Sequence, residues 1–138
     1  MDLIWVGLGG LLGALARYGV WRAFLHWSAT FPWGTLITNI TGSILLGLIQ
    51  ALVLEGLILS PRSRLFLGVG FCGAYTTFST FTKESLDLLD SNLFPEALLY
   101  VSGTTVLCLA GVWLGIVLGR LSYSLLEKRP LRLGEDRD

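Results

Sequence analysis

The chain has 138 residues, of which 53% are hydrophobic and only 14% charged, with a formal net charge of zero. Soluble proteins carry roughly 25% charged residues, so the composition argues against a water-solvated domain and offers no basic surface to a nucleic acid. A second independent domain is not expected at this length.

Residues 3–16, 27–54, 65–82 and 97–119 carry no charge at all. An uncharged apolar run of about 18 or more residues reads as a transmembrane helix, and the chain divides into four such spans. The first covers about 3–25. Asp2 is its only early charge, and neither a basic leader nor a small-residue cleavage site is present, so it reads as a retained helix rather than a signal peptide. It ends at "HWSATFPWG", where Pro32 stops a helix and Trp27 and Trp33 suit a membrane interface. The second span, 33–54, places Thr35, Asn39 and Ser43 at i, i+4 and i+8 on one face, with Gly42 beside them and Gln50 three turns below Asn39. The third, 65–90, is unusual in its middle. "CGAYTTFSTF" is glycine, hydroxyl and aromatic rather than leucine, and an amphipathic end, "KESLDLLD", follows. Pro95 opens the fourth span, 95–126, which sets Tyr100, Thr104 and Cys108 at helical spacing. Residues 1–126 therefore read as one four-helix membrane domain. The charged tail 127–138 lacks apolar periodicity and is expected to be disordered or loosely attached.

There are 17 glycines, well above the usual share of about 7%. Gly9 and Gly13 on the first span, and Gly111, Gly115 and Gly119 on the fourth, form GxxxG patterns that let helix backbones approach closely in lipid. Whether the partner helix lies in the same chain or in another is left open. Cys72 and Cys108 both fall inside uncharged runs and read as small buried hydrophobes rather than a disulfide. Buried polar groups in hydrocarbon need partners or a water-filled path. The stripes on spans two and four hold neutral hydrogen-bond donors, which suit a desolvated anion; they equally suit interhelical glue. Gly73 and the Thr76–Thr77 pair are poor residues for a helix interior. A break over Gly73–Thr76 would expose carbonyls for a hard cation and N–H groups for an anion. Phe78 and Phe81 share a helix face, and their electropositive ring edges could flank a small anion, or simply pack.

Three motifs sharpen this reading. "GGLLGALARY" at 9–18, "PWGTLITNITGSILLG" at 32–47 and "GFCGAYTTFSTF" at 70–81 resemble the signatures of the Fluc, or CrcB, fluoride channels. The likeness spans the chain apart from its tail. It implies passive, fluoride-selective channels of the bacterial inner membrane, built as antiparallel, dual-topology homodimers. Each would have four transmembrane helices with the third broken near the membrane midplane, and a structural sodium ion would lie on the dimer axis. Carried over by motif, Asn39 resembles a pore-lining asparagine, and Phe78 and Phe81 the phenylalanines that meet the ion. Thr77, Ser79 and Thr80 belong to a hydroxyl-rich run at the pore, and Tyr100 and Thr104 to the pore-facing stripe of span four. Gly73 and Thr76 resemble the backbone ligands of sodium, and Arg17 the vestibule arginine. Cys108 departs from the hydroxyl-rich pattern of that last span.

Two other classes compete. A proton-coupled exporter of similar size needs an ionisable group at membrane depth; Glu55, Glu84, Asp87, Asp90 and Glu96 all read as lying at or near span ends. A non-transporting assembly subunit would use the same polar stripes to bind other helices. An enzyme is disfavoured, because no nucleophile–base pair or metal-ligand set is visible. Basic residues are divided seven to three between the two sides the four spans create, and those nearest span ends are nearly balanced. Such a weak bias permits insertion both ways round.

Overall fold

The computed structural model describes residues 2–28, 30–55 and 60–127, and among these residues the only regular structure is helical. Among the described residues, three helices are long and apolar enough to cross a membrane: α1 (Asp2–Phe24), α2 (Trp33–Leu54) and α6 (Phe94–Glu127), the last from Phe94 to Leu125. The tail from residue 128 onward lies outside the described residues.

The expected third span is built differently from a plain helix over 65–90. It begins earlier, with α3 (Pro61–Arg64), because Ser60 caps it through a 3.2 Å bond from the Ser63 N–H and Pro61 occupies the first turn, where its missing N–H costs nothing. The span expected from residue 65 thus starts at Pro61, because the capping chemistry of "SPRSR" makes it a helix start. The chain then widens into a π-helical stretch, Leu65–Cys72, and tightens again in α4 (Gly73–Tyr75). Thr76 (φ −83°, ψ 159°) and Thr77 (φ −151°, ψ 124°) are extended, and α5 (Phe78–Asp90) follows. Gly73–Tyr75 are helical, so the non-helical residues are Thr76 and Thr77 rather than all of Gly73–Thr76. At the far end of α5, Asn92 adopts φ 61°, with the Asn92 N–H bonded to Leu89 O and the Leu93 N–H to Leu88 O. That pairing closes the helix and turns the chain into α6.

Glycine decides which helices touch. A methyl on Gly9 or Gly13 would overlap the carbonyls of Phe66 and Phe71, so α1 lies backbone to backbone along the π-helical stretch. A methyl on Gly47 would strike the Val112 carbonyl, and one on Gly115 the Ile44 carbonyl, so α2 and α6 are equally close. Lipid tails are as apolar as leucine, and dispersion between closely approached backbones is what remains to hold such helices together. Both GxxxG patterns therefore find their partners within the chain. The buried apolar cluster is small: Leu36, Phe81, Leu88, Ala97 and Tyr100, with Phe31 and Leu93 against it. It places the start of α5 between α2 and α6.

Candidate functional site

The interruption at Thr76–Thr77 is held from α2. Asn39 Oδ1 accepts the Thr77 N–H at 2.8 Å, and Asn39 Nδ2 donates to the Thr77 carbonyl at 3.0 Å. One side-chain amide thus serves both backbone groups of an extended residue, as a neighbouring strand would. Unpaired, those groups would each cost several kcal/mol in hydrocarbon. Asn39 is buried and retains one further amide proton.

Thr77 also caps α5. Its Oγ1 accepts the Thr80 N–H at 3.2 Å and donates to Thr80 Oγ1 at 3.1 Å, with Ser79 Oγ 3.2 Å away. These bonds redirect two donors. A continued helix would send the Thr77 N–H to the Gly73 carbonyl and the Thr80 N–H to the Thr76 carbonyl. The first goes to Asn39 and the second to Thr77 Oγ1, so the Gly73 and Thr76 carbonyls lose their helical donors. The space beside Gly73 is open, and Thr76 Oγ1 is turned away to the Cys72 carbonyl at 2.9 Å. Carbonyls without their usual donors have the chemistry a hard cation requires.

The two phenylalanines differ in environment. Phe81 is 9% exposed and packs on Tyr100 with ring centroids 5.2 Å apart, whereas Phe78 is 76% exposed and projects outward, 5.8 Å from Phe81. The Tyr100 ring, fully buried, is met edge-on by Phe31 at 5.5 Å. Its hydroxyl donates to Glu84 Oε2 at 2.7 Å, while Thr35 Oγ1 donates to Glu84 Oε1 at 2.9 Å. Glu84 thus meets Thr35 in the first turn of α2. It is half-buried, folded between α2 and α6 by two hydroxyls. The helical spacing of the buried Phe81, Ser85 and Leu88 was the signal that could have located it, since Glu84 shares their arc. One turn beyond Tyr100, Thr104 Oγ1 is buried and has no hydrogen-bond partner among the described residues.

Two cavities meet at Thr77. One, of about 290 Å³, is lined by Asn39, Ser43, Cys72, Thr76, Phe78 and Cys108. The other, of about 380 Å³, joins Arg17 to Thr35, Thr38, Thr77 and Thr80. Cys72 and Cys108 are free thiols. The expected residues of spans two and three, together with Arg17, thus converge on one interruption. Ser79 is exposed but lies 3.2 Å from Thr77 Oγ1 at the start of α5, whereas Tyr100 and Thr104 are on α6.

Comparison with known proteins bears on what this arrangement is. Residues 4–116 match the family described as "CrcB-like protein, Camphor Resistance (CrcB)". A "Fluoride-specific ion channel FluC" of Magnetococcus marinus is 42% identical over 122 residues, covering 88% of this chain and 99% of its own. A protein of the same name from Acidobacterium capsulatum is 45% identical over 121 residues (86% and 96%), and one from Trichormus variabilis 45% over 119 residues (84% and 86%). With identity sustained across nearly the whole of both chains and three helices able to cross a bilayer, this chain belongs to the CrcB family and is a multi-pass bacterial membrane protein.

Proposed function

We propose that the protein is a fluoride-selective channel giving passive fluoride efflux across the bacterial inner membrane, and that it is not an enzyme. The observation that carries this is the interruption itself: Asn39 clamps Thr77 while Phe78 and Phe81 stand at the N-terminus of α5. That end of the helix bears a partial positive charge and unpaired N–H groups, which favour an anion. The spare amide proton of Asn39 and the unpartnered hydroxyl of Thr104 add neutral donors, and the ring edges of the two phenylalanines add partial positive charge. Arg17, which lines the second cavity, raises the local anion concentration. The relatives' shared name, "Fluoride-specific ion channel FluC", selects fluoride among small anions. The proton-coupled alternative is not favoured, because the relatives share the name of an ion channel. Proteoliposomes loaded with fluoride should release it with no pH gradient imposed, as read by a fluoride electrode, and chloride should pass far more slowly. Equal chloride flux, or flux only under a proton gradient, overturns the proposal.

The finer architecture belongs to the same reading. Residues 61–90 form a fourth span, crossing in two pieces with Thr76 and Thr77 near the midplane, and two oppositely inserted copies pair there. The Gly73 and Thr76 carbonyls of both copies then supply four oxygens to one sodium ion, which would neutralise the crowded carbonyl dipoles. Thr76→Ser, which keeps the bond to Cys72, should leave fluoride flux unchanged. Replacing sodium by a bulky organic cation should lower the melting temperature of the purified protein; an unchanged melt argues against the ion.

A further inference from the structure

Two thiols that the fluoride pathway does not use line one cavity. Cys72 and Cys108 are both free, and both border the space of about 290 Å³ beside Thr77. They reach it from different elements. A methyl on Gly42 of α2 would overlap Thr76 and Tyr75, so the turn that begins at Cys72 lies against α2 there. The Thr76 N–H and Oγ1 both donate to the Cys72 carbonyl, at 3.0 and 2.9 Å, which ties the cysteine to that turn. On the other side, Gly111 of α6 meets Ile40 and Ser43 of α2. Cys108 stands one turn earlier on α6 and so arrives level with Asn39. Cys72 is 2% exposed and Cys108 is partly buried.

The rest of the lining decides the chemistry. Besides the thiols it offers only neutral amide, hydroxyl and apolar groups, with no acid, base or imidazole. A tetrahedral zinc site needs two more thiolate or imidazole ligands than are present, and a hard cation would find no carboxylate. Two sulfurs alone suit a soft cation that binds in a line between them. A divalent one leaves no net charge once both thiols have lost their protons, and charge at membrane depth is costly. We propose that Cys72 and Cys108 form a two-thiol site for one soft divalent cation of the mercury(II) class, and that the ion, seated beside Asn39 and Phe78, closes the cavity to fluoride. The blocking half rests on the channel reading above; the site rests only on the thiols and the cavity. On binding, two S–H bonds break, two S–Hg bonds form and two protons leave. From mercuric chloride two chloride ions leave with them, and nothing is oxidised. That salt is uncharged, so lipid does not bar it from the cavity. Once one sulfur holds the ion, the second captures it within the same molecule, at an effective concentration on the order of millimolar. That chelation separates the site from ordinary thiol reactivity.

The test starts from the unaltered, full-length protein, purified and loaded with one equivalent of mercuric chloride per chain. X-ray absorption at the mercury should count two sulfurs, and the chain should run as a monomer on a non-reducing gel. One sulfur per mercury, or a mercury-linked dimer, overturns the site. Cys72→Ser and Cys108→Ser should each surrender the metal to at least tenfold less competing monothiol than the unaltered chain does; equal release overturns the bridge. In proteoliposomes, mercuric chloride should cut fluoride efflux at least tenfold, and a small dithiol should restore it. Inhibition that persists in the Cys72→Ser/Cys108→Ser double variant overturns the assignment to these thiols. Efflux that continues through the loaded protein overturns the block and leaves the site standing. A protein that releases no fluoride before mercury is added overturns the channel reading instead, and the sulfur count still decides the site.

Discussion

Asn39 does with one side chain what a strand does with a backbone, and that makes its substitution informative. Asn39→Asp keeps the acceptor for the Thr77 N–H but loses the donor to the Thr77 carbonyl and adds a charge beside the anion path. It should suppress fluoride flux and lower stability by about 1–3 kcal/mol, the cost of leaving a buried group unpaired. The phenylalanines should separate pore contact from packing. Phe81→Ile removes volume from the small core and should cost about 1–3 kcal/mol. Phe78→Ile, at an exposed ring, should leave the melt unchanged. Both should suppress efflux; retained flux in Phe78→Ile would rule out a ring–ion contact there. At this scale the sequence was informative where spacing alone decides. The i, i+4 stripes put Thr35, Asn39, Tyr100 and Thr104 on the buried faces where they are found. It did not reveal that Glu84 turns inward, because the two hydroxyls that hold it lie on other helices.

Among the elements, α2 and α6 depend on how near two backbones can come. Gly115→Ala would drive a methyl into the Ile44 carbonyl and should destabilise by about 1–3 kcal/mol, the usual penalty of overpacking. Gly103 lies on the same helix with nothing within 4 Å, so Gly103→Ala should be neutral or stabilise by up to about 1 kcal/mol through helix propensity. Thermal unfolding of the pair in one detergent checks both, and equal effects would mean that the close approach contributes nothing. The helices α1, α2 and α6 were legible because long apolar runs bounded by proline and charge leave little choice. The 61–90 region was not, for two reasons. Its start depends on a Ser-Pro cap that resembles a loop, and its π-helical widening leaves no trace in residue type. Its interruption depends on Asn39, 38 positions earlier in the chain, so composition marks the neighbourhood while the partner selects the residue.

For the molecule as a whole, the proposed inverted pair requires two insertions of one sequence. A cysteine added after Asp138, with Cys72 and Cys108 replaced by serine, should be labelled by impermeant reagents from both sides of the native membrane. Labelling from one side alone would contradict dual insertion. The glycine contacts carry a consequence for assembly. Gly9, Gly13, Gly47 and Gly115 are all occupied inside the chain, so each copy has its tightest seams closed before it meets another. In the proposed inverted pair, association is then the docking of finished subunits, second order in two populations that differ only in which way they face. A cell that inserted the chain with a skewed ratio would strand the surplus as folded, unmatched copies, and its conductance would follow the scarcer orientation rather than total expression.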